Sequence, residues 1–124
     1  MYGSGTLMSE QTLAELAVRL REFADERDWD QFHSPKNLAM ALSVEASELM
    51  EHFQWLTEEQ SSALTPEKRQ QVCEEIGDVL IYLTRLADKL GIDLVEVAFE
   101  KLEVNRIKYP ADKVRGSAKK YTEL

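Results

Sequence analysis

Four carboxylates in this chain are spaced for chemistry. Glu45 and Glu48 stand three residues apart, and so do Glu75 and Asp78. Residues at i and i+3 share a helical face, so each pair can point at one object. With 3.6 residues per turn, Leu38, Ala41, Leu42, Leu49, Phe53 and Leu56 form an apolar stripe. Glu45 falls inside that stripe and Glu48 at its edge. In the second segment Val72, Ile76, Val79, Leu83, Leu86 and Leu90 form the stripe. Glu75 lies at its margin, and Asp78 beyond it, near Tyr82 and Gln71. A half-buried ionised carboxylate is costly without compensation, and four facing one another repel. A divalent cation removes the repulsion, and all-oxygen ligands suit Mg²⁺, Mn²⁺ or Ca²⁺. One such pair alone is commonly a solvated helix face. Two pairs, each bordering an apolar stripe on successive helices, make the case for a metal centre. Glu51 and Glu74 project away, toward solvent.

Helices must position these groups, and the sequence marks where they start and stop. Ser34-Pro35 and Thr65-Pro66 each place an N-cap before a proline at the first helical position. They open helices predicted over Pro35 to about Leu56 and Pro66 to about Leu90, with a loop at residues 57–64. An earlier helix is expected from an N-cap at Ser9 to about Asp28. Gly91 is a stop signal. Asp93-Leu94-Val95-Glu96 is capping-box-like and opens a last helix, from Leu94 to about Lys108, stopping before Pro110. Lys101 and Asn105 on its apolar stripe call for a partner. No segment shows strand-like alternation, so the fold is all-α.

Beyond Asp78 the second acidic helix is apolar almost all round, with Leu80, Ile81, Leu83, Leu86 and Ala87. A helix of that kind is buried. About four helices do not supply enough partner faces, so the bundle is expected to be completed by oligomerisation, as a homo-oligomer.

Composition narrows the function. The chain has 124 residues, and its 23 acids against 15 bases give a net charge of −8. That opposes binding to a nucleic-acid polymer, which favours a basic surface. It does not oppose a phosphorylated small molecule, because bound cations invert the local charge. With one cysteine, Cys73, no intramolecular disulfide forms, as suits a reducing, cytoplasmic setting. Cys73 reads as a small packing residue. No apolar run nears the roughly 18 residues of a membrane span, and the N-terminus does not read as a signal peptide. There is no Gly-rich phosphate loop and no Cys/His zinc spacing, so any phosphate chemistry must be metal-based. A di-iron bundle would want Glu-x-x-His on two helices. His52 follows Glu48 by four residues, and the second acidic helix has no histidine. His52 reads either as a hydrogen-bonded core histidine, the favoured reading, or as a partner that supports the metal-holding carboxylates.

Residues 1–8 read as a flexible N-terminus or cloning remnant, residues 9–110 as the helical domain, and residues 111–124 as a basic, mobile tail with Lys113, Arg115, Lys119 and Lys120. The Trp29-Asp30-Gln31-Phe32-His33 segment either packs on the core, the commoner outcome, or forms a stacking pocket for a ring.

The two acidic motifs on consecutive helices resemble the MazG-like all-α nucleoside triphosphate pyrophosphohydrolases. The stretches Arg27-Asp28-Trp29-Asp30-Gln31-Phe32-His33, Phe53-Gln54-Trp55 and Glu74 to Leu83 are similar to the dCTP pyrophosphatase branch. So are Asn105-Arg106, Tyr109-Pro110 and Arg115 to Thr122. The resemblance covers about Leu13 to the C-terminus. It implies a four-helix MazG-like bundle, assembled as dimers or tetramers, and Mg²⁺-dependent hydrolysis of a (deoxy)nucleoside triphosphate to monophosphate and pyrophosphate. The substrate it implies is dCTP or a modified dCTP, in housekeeping of the nucleotide pool; Mn²⁺ is a possible substitute ion. By the same resemblance Glu45, Glu48, Glu75 and Asp78 hold the metal and carry catalysis. Trp29, His33 and Trp55 line the base and sugar pocket. Tyr82, Asn105 and Tyr109 sit near sugar or phosphates, and Lys108 or the basic tail reaches the phosphates. Two alternatives stay open: the same chemistry on another dNTP, and a non-catalytic nucleotide-binding or interaction module.

Overall fold

The computed structural model describes residues 11–118. These residues form helices and turns, with no strand among them. The helices are α1 (Leu13–Glu26), α2 (Pro35–Glu51), α3 (Glu58–Ser61), α4 (Pro66–Lys89), α5 (Leu94–Lys108) and α6 (Ala111–Val114), and a 3₁₀ turn spans Asp30–Phe32. The chain divides into two compact units, Met1–Gly91 and Ile92–Leu124.

Caps fix the helix starts in the first unit. Ser34 Oγ accepts from the Asn37 amide, and Thr65 Oγ1 accepts from the Lys68 amide. Each cap satisfies one otherwise orphaned donor and contributes about 1 kcal/mol. The expected cap at Ser9 lies outside the described residues. Thr12 caps α1, accepting from the Glu15 amide.

Helix α1 ends in a paired capping pattern that aims the next segment. The Trp29 amide donates to Ala24 O at 2.8 Å, and the Asp28 amide to Asp25 O at 3.1 Å. Asp28 sits at φ 56°, in the left-handed region that a helix stop of this type requires. Gln31 Nε2 donates to the Asp28 carbonyl and carboxylate, both at 3.0 Å, and locks the turn that carries Trp29 to His33.

Three pairs set the direction of α2 against α4. His52 meets Lys68 at 3.3 Å, Glu45 lies near Glu75, and His33, just before α2, meets Arg85 at 3.2 Å. As numbers rise on one helix they fall on the other, so the two run antiparallel. Helix α1 packs on α4, where Arg21 Nε donates to Asp88 at 2.8 Å.

The core of this unit is small. Among the described residues Ala24, Leu38, Val72 and Ala87 are buried, and Leu38 is the largest fully buried side chain. Burying such a leucine contributes about 1.5–3 kcal/mol. Part of the predicted α4 stripe stays in the open: Ile76 is 53% exposed, Leu83 37% and Leu90 52%. These three are spaced by seven residues and so lie on one line of the helix. One chain therefore does not cover this helix, the shortage from which oligomerisation is expected.

Three local expectations are corrected. Helix α2 stops at Glu51 rather than near Leu56, because residues 52–56 close tight turns such as Phe53 N to Met50 O at 2.9 Å. Residues 57–64 are not all loop: α3 forms behind a capping box in which Thr57 and Gln60 satisfy each other's amides. Cys73 is exposed and does not pack.

The second unit holds α5, capped by Asp93 accepting from the Glu96 amide, with bounds as the sequence predicts. The segment expected as a tail begins with the single-turn helix α6; Lys119 and Lys120 lie outside the described residues. Phe99, Leu102 and Ile107 of α5 are exposed.

Candidate metal centre

Helices α2 and α4 bring three of the four predicted carboxylates together. Glu45, Glu48 and Glu75 each offer an oxygen, and these oxygens lie within 4.8 Å of one another. Asp78 is outside that trio, but its charge is felt at Glu45. The register explains the meeting: Glu45 and Glu48 follow one another on α2, and Glu75 faces them from the antiparallel α4.

The electrostatics are unbalanced without a cation. Burial pushes the Glu45 carboxyl up to about 7 from the usual 4.5; the Glu75 and Glu48 carboxylates, which can accept only from its protonated form, and the charges of Glu48 and Asp78 push the same way. Glu45 Oε2 and Glu75 Oε2 are both buried and have no hydrogen-bond partner. Two ionised carboxylates cannot donate to each other; a shared proton or a cation must stand between them. The donor set therefore fits a divalent ion that prefers oxygen. Glu51 and Glu74 are exposed, as expected.

The predicted base-pocket residues divide. His33 and Tyr82 are half-buried in the first unit. Trp29 is 45% exposed and makes an edge contact with Phe23, ring centroids 5.7 Å apart. Trp55 is 85% exposed. The Trp29–His33 segment is thus not buried in the core. Asn105 and Tyr109 are half-buried in the second unit. His52 is half-buried, with Nδ1 3.3 Å from Lys68 Nζ, in keeping with a hydrogen-bonded histidine.

A buried arginine on α4 joins the Trp29–His33 segment. Arg85 is 4% exposed. Its Nη2 donates to Asp30 at 2.6 Å and its Nε to His33 Nδ1 at 3.2 Å. Lys89 also reaches Asp30 at 2.6 Å. The hydrogen bond from Lys89, with help from Arg85, holds the Asp30 carboxyl below its ordinary range. Burial, and then the Arg85 charge, keeps His33 below its usual value. No local signal marks this cluster, because Asp30 and Arg85 are 55 residues apart.

With an all-α fold and an acidic centre between two antiparallel helices, the family follows. The MazG-like family model matches residues 40–124, and the chain belongs to that family. Curated relatives sharpen the likeness. The chain is 44% identical to dCTP pyrophosphatase 1 of Homo sapiens over 124 residues, covering 98% of this chain and 73% of that protein. It is 47% identical to dCTP pyrophosphatase 1 of Mus musculus over 117 residues, covering 93% and 69%. Among solved structures, a pyrophosphatase from Archaeoglobus fulgidus superposes with a TM-score of 0.76 at 42% identity, over 82% of this chain and 95% of that one. No helix of the described residues is long and apolar enough to cross a membrane.

Proposed function

We propose that this protein hydrolyses dCTP, or a cytosine-modified form of it, to the monophosphate and pyrophosphate, as a Mg²⁺-dependent enzyme of the nucleotide pool. The observation that carries the reading is the facing pair of buried, unpartnered oxygens on Glu45 and Glu75. Its specificity for cytosine is supported by the near full-length likeness to dCTP pyrophosphatases.

Glu45, Glu48, Glu75 and Asp78 would hold the ion, with Mn²⁺ as a substitute. When bound, it supplies charge neutralisation and Lewis-acid polarisation at the phosphates. The chain's own groups do the rest. Glu48 is our candidate to orient the water that attacks the α-phosphorus and to accept its proton, with pyrophosphate as the leaving group. Trp29 and Trp55 offer ring faces to the base, and His33 a hydrogen bond to its edge. Tyr82, Asn105 and Tyr109 serve sugar and phosphates, and Lys108 or the basic tail neutralises the leaving end.

The reading includes a cytoplasmic homo-oligomer, dimer or tetramer. The exposed Ile76–Leu83–Leu90 line on α4 and the exposure of Trp55 support it, since an apolar line and an aromatic pocket wall both need covering. The test is a substrate panel. Each canonical dNTP and 5-methyl-dCTP are incubated with Mg²⁺ or with EDTA, and the products separated. Monophosphate and pyrophosphate, fastest from a cytosine nucleotide and abolished by EDTA, are expected. The same products from another base would overturn the base assignment, and no turnover would favour a nucleotide-binding module.

A further inference from the structure

Among the described residues Arg85 is the one charged side chain that is buried. A guanidinium in that position is costly unless its donors are used, and an apolar residue of similar size would commonly serve stability as well. Its donors go to the Trp29–His33 segment: Nη2 to Asp30 and Nε to His33 Nδ1. Asp88 lies 3.6 Å from Nη1. Arginine has donors only and does not lose its proton. The histidine nitrogen it meets must therefore accept.

We propose that Arg85 is a positioning residue: by taking the Nδ1 lone pair of His33, it leaves Nε2 as an obligatory donor and so selects a base with an acceptor edge. In a neutral imidazole the two nitrogens divide the roles, and the partner of one fixes the other. Burial and the Arg85 charge both disfavour a second proton on His33. A fixed donor matches the N3 and O2 acceptors of cytosine and opposes the N3–H of uracil or thymine, and a buried polar mismatch discriminates strongly.

Distance along the helix agrees. Arg85 follows Asp78 by seven residues, so it lies on nearly the same face, about 10 Å along the axis at 1.5 Å per residue. A base held near His33 would then lie a nucleoside's reach from the carboxylates. This inference rests on the nucleotide reading for what His33 meets, though not for the contact with Arg85.

The experiment has two arms. Nitrogen-15 NMR of the histidine rings in the intact protein reads the tautomer directly; His33 is expected with its proton on Nε2. An Nδ1–H tautomer would overturn the proposal without any variant. In the second arm, kcat/KM for dCTP and dUTP is compared in Arg85→Met and Arg85→Lys. Arg85→Met should lower the dCTP-to-dUTP ratio about tenfold, mostly through KM, and Arg85→Lys less. An unchanged ratio in both variants would overturn the selecting role while leaving the pyrophosphohydrolase reading intact. If Arg85→Met does not fold, Arg85→Lys and the wild-type tautomer decide. No nucleotide turnover by the wild type would remove the proposed function and the base selection with it.

Discussion

Oε2 of Glu45 on α2 and Oε2 of Glu75 on α4 are both buried, and neither has a hydrogen-bond donor. Their carboxylates, with that of Glu48, offer oxygens within 4.8 Å of one another. Two negative groups in this relation cost stability unless a proton or a cation joins them. That single cost links stability, pH and metal dependence.

The pH dependence has a definite sign. Folded Glu45 keeps its proton up to about 7, whereas unfolded Glu45 loses it near 4.5. Between those values the folded state binds more protons, so its stability falls as pH rises. Metal-free wild type should therefore lose thermal stability relative to Glu45→Gln from pH 4.5 to 7. Added Mg²⁺ should recover that loss at the upper end. Parallel pH profiles for the two proteins would contradict the burial of Glu45.

Removing a ligand should separate stability from function. Glu75→Gln takes away one of the two unpartnered oxygens' charges, so the metal-free variant should melt at or above the wild type. Its Mg²⁺ affinity should drop roughly 100-fold or more, since even outer-shell changes cost about 10–100-fold. Calorimetric titration and thermal melts check both. Glu48→Gln should keep the fold and lose turnover by about 10²-fold or more; near-normal activity would end its role as the water's partner.

Trp29 should matter for binding more than for folding. It is 45% exposed, and its ring contact is the edge of Phe23; such a pair is worth about 1 kcal/mol. Base stacking is worth about 1–3 kcal/mol. Trp29→Ala should then raise KM for dCTP roughly tenfold with a small change in melting temperature. A large loss of stability with unchanged KM would return Trp29 to a packing role.

The α4 surface predicts an assembly. Leu83→Glu puts a charge on the exposed line shared with Ile76 and Leu90. Sedimentation of wild type should give a dimer or tetramer, and of Leu83→Glu a smaller species. A monomeric wild type would contradict the oligomer.

What could be read in the sequence was local chemistry. Ser34-Pro35, Thr65-Pro66 and Asp93-Leu94 act within three residues of themselves, and each starts a helix where expected. The spacing of Glu45, Glu48 and Glu75 needed only helical periodicity and two antiparallel helices. The Thr57–Gln60 capping box is equally local, but no apolar periodicity follows it in the polar 57–64 stretch, so its single helical turn has no second signal. Arg85 is different in kind. Its burial depends on Asp30 and His33 arriving from far along the chain, and no spacing rule carries that. That one chain would leave part of α4 open follows from the shortage of partner helices; that Ile76 and Leu83 are the residues left open does not, because a pattern of apolar residues does not say which of them the same chain covers.

In the proposed reaction water attacks the α-phosphorus under the control of the Glu45–Glu75 centre. Single-turnover hydrolysis of dCTP in ¹⁸O-labelled water, with Mg²⁺, tests it most directly. The label is expected in dCMP and not in pyrophosphate, with the reaction lost in Glu75→Gln. Label in the pyrophosphate would mean attack at the β-phosphorus and would contradict the mechanism.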